Sequence, residues 1–277
     1  MGETGRYYRH SGEAGLFGLF CIIAGGVTVV ALLGALYGFI IHWVPSVYIS
    51  FFIILGYAVG VGAAIASAGY LGKVRNMQLL IISGVLLGIF AVYLGWVSWI
   101  YASPVSNAII WRSGELFKVI KFLGEQGAWS IFGWTPKGIV LYTVWGIEAA
   151  LIMAGAVLVP WYVLNNIPFC EYCRKWIRHN VPLKILRLPE KQAALKTAFE
   201  AGDFSVLEQL EAVDEHVSHL RVEFAFCPHC CKEYYLTVVA VEVNHECSDK
   251  LDEVENYIVR NLIVSEEVFH ILSRAAC

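Results

Sequence analysis

Residues 14–72 read AGLFGLFCIIAGGVTVVALLGALYGFIIHWVPSVYISFFIILGYAVGVGAAIASAGYLG, a stretch without a single Asp, Glu, Lys or Arg. A bilayer-spanning helix uses about 20 apolar residues, so this stretch holds two crossings, interrupted at His42, Trp43, Val44, Pro45 and Ser46. The whole chain agrees with that reading. It is 58% hydrophobic with a mean hydropathy of +0.61, well beyond the apolar share of a soluble domain. The first run is a retained anchor rather than a cleaved signal peptide, because its apolar core far exceeds an h-region and no small-residue cleavage site follows it.

Two further runs continue the pattern. Residues 76–111 are free of charge and contain a third crossing that ends at Ser103 and Pro104, while 138–164 form a fourth whose one charge is Glu148. The expected spans are therefore about 16–41, 47–72, 79–101 and 138–164, within a membrane domain of residues 1–164. Trp43, Tyr48, Trp96, Trp99, Tyr101, Trp161 and Tyr162 fall at their ends, where aromatic rings meet headgroups. Arg6, Arg9, Lys73, Arg75, Arg174, Lys175 and Arg178 lie on one side of a four-pass topology. The positive-inside tendency makes that side the cytoplasm and the protein a multi-pass inner-membrane protein with both termini cytoplasmic. The opposite loop, 103–137, carries Arg112, Lys118, Lys121 and Lys137 and dissents from that rule. Its apolar residues Ile109, Leu116, Phe117, Ile120 and Leu123 recur at helical spacing among charges, which predicts an amphipathic helix serving as a lid or lying on the membrane surface.

Within the spans, small residues recur four apart at Gly34 and Gly38, Gly56 and Gly60, Ala58 and Gly62, and Gly84 and Gly88. Such pairs let helices approach until backbones touch. Their expected role is packing inside the bundle, and a homo-oligomer seam is the second use. Glu148 is the candidate intramembrane functional residue: a carboxylate at that depth costs a few kcal/mol and must face protein or water. A structural account competes with it, in which Glu148 hydrogen-bonds to Thr143, Ser83 or a backbone carbonyl.

Beyond residue 164 the character changes. Residues 165–277 hold 12 Lys plus Arg against 18 Asp plus Glu, a balance of −6. That tail lacks the basic patch on which nucleic-acid binding depends. It contains Cys170-Glu171-Tyr172-Cys173 and Cys227-Pro228-His229-Cys230. In a Cys-x-x-Cys turn both sulfurs face one ion while backbone amides wrap them, and two such turns complete a tetrahedral four-sulfur shell. The second turn lies between strand-like runs at 220–226 and 234–243.

On Cys170, Cys173, Cys227, Pro228 and Cys230 the tail resembles the zinc-ribbon and rubredoxin-like class. The resemblance covers those turns and their hairpin. It implies a structural zinc ion held by Cys170, Cys173, Cys227 and Cys230, with iron as the electron-carrying alternative and a thiol redox pair as the third. The gap between the two pairs exceeds the usual 15–20 residues, and a helical insertion accounts for it: a run opening at Pro189, Glu190 and Lys191, broken at Gly202 and Asp203, and resumed over 204–213. Two more helices are expected at about 249–261 and 265–274, the latter capped by Ser265 with Glu266 and Glu267 in its first turn. His245 and Cys247 are substitute ligands. Cys231 and His229 adjoin the site without joining it.

The expected fold class is a membrane α-helical protein: a four-helix transmembrane bundle with a C-terminal cytoplasmic α+β zinc-ribbon-type domain. No phosphate-binding loop, G-x-S-x-G or His-Glu-x-x-His occurs, which lowers the standing of an enzyme. The favoured role is a membrane-anchored interaction or assembly module that meets a protein partner at the cytoplasmic face. The alternatives are a transporter or channel component using Glu148, and a membrane-tethered thiol or iron redox protein.

Overall fold

The computed structural model describes residues 6–44, 46–103, 109–130, 133–177, 180–189, 192–244 and 252–274. Pro45, Pro104, Arg178, Glu190, Lys191, His245, Cys247 and the first residues of the helix expected from 249 lie outside that set. The chain divides into two compact units, Ser11–Asn166 and a second composed of Met1–His10 with Ile167–Cys277.

The first unit contains α1 (Leu16–Trp43), α2 (Val47–Leu71), α3 (Met77–Ala102), α4 (Ser113–Gln126) and α5 (Ile139–Asn165). All but α4 are long and apolar enough to cross a membrane. At 1.5 Å per residue each exceeds the ~30 Å hydrocarbon core. A π-helical segment, Cys21–Gly26, interrupts α1. Side chains close two of the starts. Ser46 Oγ accepts from the Ile49 amide at 3.5 Å and Asn76 Oδ1 from the Leu79 amide at 2.9 Å, supplying the N-terminal donors with partners.

α1 packs on α3 and α2, and α5 packs on α2 and α3, so α1 and α5 face one another across the bundle's diagonal. Small residues set these approaches. A Cβ built on Gly38 would strike Ser98 and the backbone of α3, one on Gly62 would strike the Gly155 carbonyl of α5, and one on Gly84 would come within 2.6 Å of the Ala156 carbonyl. Gly34, Gly38, Ala58, Gly62, Gly84 and Gly88 thus serve internal packing, whereas Gly56 faces open space. The interior is apolar, with a few polar side chains such as Ser83 and Ser98 buried among aliphatic ones, and large apolar side chains also cover the outside. Ser98 Oγ donates to the Leu94 and Gly34 carbonyls at 2.7 and 3.1 Å, while Leu32, Phe52 and Leu86 point outward. An apolar exterior of this kind suits helices long and apolar enough to cross a membrane.

The helix expected in the 103–137 loop is α4, whose apolar face packs through Leu116, Val119 and Ile120 on Val97, Ile100 and Trp96 of α3. Gly127 and Gly138 then turn the chain into α5 with φ of 93° and 59°, values that side-chain-bearing residues rarely adopt.

The second unit is built on an antiparallel sheet of order β3-β4-β5-β6, with β3 Asn180–Arg187, β4 His219–Phe226, β5 Tyr234–Asn244 and β6 Asp252–Val264. A separate two-residue hairpin pairs β1 (Phe169–Cys170) with β2 (Lys175–Trp176). The expected β4–β5 hairpin is present. The insertion forms α6 (Gln192–Glu200) and a five-residue α7 (Ser205–Gln209), and α8 spans Glu266–Arg274. Leu195, Phe199, Leu207 and Leu272 from these helices pack on Leu220, Val222, Phe224, Leu236 and Val238 of the sheet.

Two expectations require correction. Residues 252–261 are strand, not helix. Val254, Tyr257, Ile258 and Leu262 carry helical spacing, yet the segment pairs with β5 as a strand whose register shifts on either side of Val259; within it Asn261 takes a φ of 53° and its amide donates to Thr237 Oγ1 at 3.1 Å. A bulge of this kind breaks two-residue alternation, and non-local pairing overrides the local pattern. Strand β3 was not expected either.

The chain's beginning belongs to this unit. Tyr7 bridges Leu262, the Tyr8 amide donates to the Asn261 carbonyl and the Ile263 amide to the Arg6 carbonyl, both at 2.9 Å. Residues 6–8 thereby occupy the edge of β6 and satisfy backbone groups that an open edge would expose.

The bundle contacts carry a direct prediction. Gly62→Val drives two methyls into the α5 backbone and lowers stability by about 1–3 kcal/mol or more, read as a drop in the thermal unfolding midpoint of the detergent-purified chain. Gly56→Val, with nothing within 4 Å of its new Cβ, leaves the midpoint unchanged.

Candidate metal centre and intramembrane carboxylate

Immediately after α5 the chain makes the β1–β2 turn, and the sheet delivers the β4–β5 turn to the same place. The sulfurs of Cys170, Cys173, Cys227 and Cys230 all lie within 4.8 Å of one another, with Cys170 Sγ and Cys230 Sγ 3.5 Å apart. Four sulfurs at ~2.3 Å from one ion form a tetrahedron with edges of about 3.8 Å. The donor set and its spacing therefore fit a metal ion. Cys170 and Cys227 are buried, and Cys173 and Cys230 are partly so.

The two turns share a backbone signature. The residue after each second cysteine, Arg174 and Cys231, takes a left-handed φ of 51° and 48°, an unfavourable choice for residues bearing a Cβ. Amides meanwhile point at sulfur. The Cys173 amide donates to Cys170 Sγ at 3.4 Å, and the amides of His229 and Cys230 reach Cys227. Such donors stabilise thiolate charge. Burial nonetheless pushes the Cys170 thiol well above its usual value. Cys173 is pushed up to about 11, by burial first and then by hydrogen bonds with Cys227 and Cys230. Cys227 falls to about 7, since the donors converging on it outweigh its burial.

Around the sulfurs lies a small apolar shell of Ile177, Ala225 and Tyr235, joined by Tyr8 from the chain's beginning. Tyr8 Oη accepts the Phe169 amide at 3.1 Å, its ring meets that of Tyr235 edge-on at 5.3 Å between centroids, and its hydroxyl is 3.0 Å from His10 Nδ1. Residues 6–10 thus buttress the turn that carries Cys170. Sequence reasoning missed this role, although Tyr7 and Tyr8 in an otherwise polar leader are residues that favour strands. His229 is exposed with Nε2 3.0 Å from Lys175 Nζ, and Cys231 is exposed. His245 and Cys247 lie outside the described residues.

Glu148 sits in the other unit and is partnered by neither Thr143 nor Ser83. Its Oε1 accepts the Tyr37 hydroxyl, a bond that crosses the diagonal from α1 to α5. Tyr37 stacks on Tyr57 at 4.2 Å between centroids, and the Tyr57 hydroxyl donates to the Ala91 carbonyl at 3.0 Å. Thr143 instead donates to the Ile139 carbonyl at 2.8 Å. One polar cluster therefore draws on all four long helices. The available signal was two tyrosines well inside spans, away from the interfacial belts where a phenol finds water.

Two outcomes test the metal centre. A metal ion takes thiolates, so binding displaces the protons these sulfurs hold. Deprotonation begins with Cys227 near 7, passes Cys173 near 11 and ends with Cys170, which burial holds higher still, so affinity rises with pH from about 7 upward. Below pH 7 the apparent Kd for zinc, measured by chelator competition, weakens at least about tenfold per unit. Cys227→Ser abolishes stoichiometric binding, whereas Cys231→Ser keeps it. No protein-family model matches the chain, and neither a curated protein nor a solved structure is significantly similar to it.

Proposed function

We propose that this protein is a four-pass inner-membrane anchor presenting a zinc-ribbon-type domain at the cytoplasmic face, where it serves as an interaction or assembly module. The observation that carries this reading is the convergence of Cys170, Cys173, Cys227 and Cys230 within 4.8 Å. A complete four-thiolate shell leaves no position for substrate or water, and such sites contribute folding energy rather than catalysis. Zinc is the ion of choice for that role. Iron in the same shell makes an electron carrier.

Sidedness is supported by the chain's own ends. Residues 6–8 are hydrogen-bonded into the sheet formed by the residues after α5, so the segments flanking the first and last crossings belong on one face, as an even number of crossings requires. The Lys and Arg residues of both segments and of the α2–α3 turn favour the cytoplasm. The buried thiols suit a reducing compartment, and the acidic balance of the tail favours a basic partner surface over nucleic acid.

The deciding experiment is elemental analysis of the detergent-purified chain beside a variant with all four cysteines changed to serine. The expected result is about one zinc per chain, absent from the variant, whose tail becomes protease-sensitive while the membrane unit stays inserted. Iron with a visible charge-transfer band moves the reading to electron transfer, and a disulfide without metal moves it to thiol chemistry. Cross-linking in cells then reads the partner: adducts of the intact chain that vanish on deletion of 167–277 support an assembly module, and adducts that persist remove it.

A further inference from the structure

A cavity of about 370 Å³ opens between the helices at the end of the bundle formed by the α1–α2 turn, the close of α3 and the opening of α5. Its size falls within the range of small-ligand sites. Six aromatic side chains line it: Tyr37, Phe51, Trp96, Trp99, Trp129 and Trp145. Trp96 and Trp145 meet edge to face at 4.8 Å, so the indoles hold one another in place. Glu148 also lines the wall. Tyr37 takes its Oε1, and no described residue hydrogen-bonds its second oxygen. Nearer the helix end, five residues and about 7.5 Å along α1 from Tyr37, His42 contributes a ring whose Nδ1 is buried without a hydrogen-bond partner.

The charge of the lining is one-sided. Among the described residues that form it, Glu148 is the one carboxylate and there is no Lys or Arg. An anionic headgroup, phosphate or carboxylate, therefore meets no counter-charge there. A positively charged ligand meets three attractions: the carboxylate, the electron-rich faces of tyrosine and tryptophan, and an imidazole nitrogen able to accept a donated hydrogen. The wide apolar remainder of the wall calls for hydrocarbon or aromatic substituents around the charge. We propose that this cavity is a binding site for lipophilic organic monocations, with Glu148 as the counter-charge and the surrounding indole and phenol rings as the cage. The proposal is independent of the metal centre, since every residue in it belongs to Ser11–Asn166.

Tetraphenylphosphonium is the probe: a permanent monocation with aromatic substituents and no hydrogen-bond donor. Equilibrium dialysis of the full-length, detergent-purified chain against radiolabelled probe is expected to give saturable binding near one site per chain. Glu148→Gln, which keeps shape and the Tyr37 contact, weakens it about tenfold or more, while Glu148→Asp retains part of it. Unlabelled triphenylphosphine oxide, similar in its rings but uncharged, fails to displace the probe. Elution volume and thermal unfolding midpoint of each variant report that the bundle is intact, and Trp145→Phe, which preserves a ring, gives an intermediate loss if either glutamate variant is unstable. Absence of saturable binding, equal binding by Glu148→Gln, or displacement by the neutral oxide overturns the proposal and leaves Glu148 as the structural partner of Tyr37.

Discussion

Four thiols have little reason to gather. A thiol is a weak hydrogen-bond partner, and four thiolates in one place repel, so the convergence of Cys170, Cys173, Cys227 and Cys230 is an arrangement that could hold a metal ion. Much of the second unit is arranged so that this meeting occurs. The β1–β2 hairpin, two residues a side, is too short to stand alone. It is held by its sulfurs on one side and by Tyr8 on the other. The left-handed backbones at Arg174 and Cys231 are local strain of the sort that persists where surrounding structure over-determines it. A metal ion held by the four sulfurs would supply that over-determination, and the sheet supplies the scaffold that brings two distant turns together.

The unit of long apolar helices answers to a different constraint. Where lipid surrounds a helix bundle, burial of apolar surface no longer drives association, and contact has to come from close backbone approach and from polar groups with nowhere else to go. Both are present in one architecture. Gly38, Gly62 and Gly84 bring α1 to α3, α2 to α5 and α3 to α5, while Tyr37, Tyr57 and Glu148 bind the diagonals.

The two units thus carry distinct chemistries. One is closed: a full sulfur shell with its amide donors already committed. The other is open: a carboxylate with one oxygen engaged, a buried imidazole nitrogen without a partner and a wall of aromatic rings. Closed sites stabilise folds, and sites that keep unspent polar groups exchange ligands.

The amino-acid sequence by itself determined the four long helices, the amphipathic helix between the third and fourth of them, the cysteine turns and the β4–β5 hairpin. Each is dictated by composition or spacing within a few residues: a bilayer accepts little besides a long apolar helix, and Cys-x-x-Cys closes its own turn. Tertiary structure decided what depends on distant partners. Strand β6 imitates a helix through the spacing of Val254, Ile258 and Leu262, and only pairing with β5 across a bulge at Asn261 makes it extended. The leader residues Arg6, Tyr7 and Tyr8 acquire a structure because β6 offers them an edge. Glu148 was legible as a buried charge, but its partner Tyr37 lies on another helix, and no local pattern records which faces of α1 and α5 meet across a bundle. Hydrogen bonds and cavities between remote segments arise from packing, and packing is a property of the whole chain.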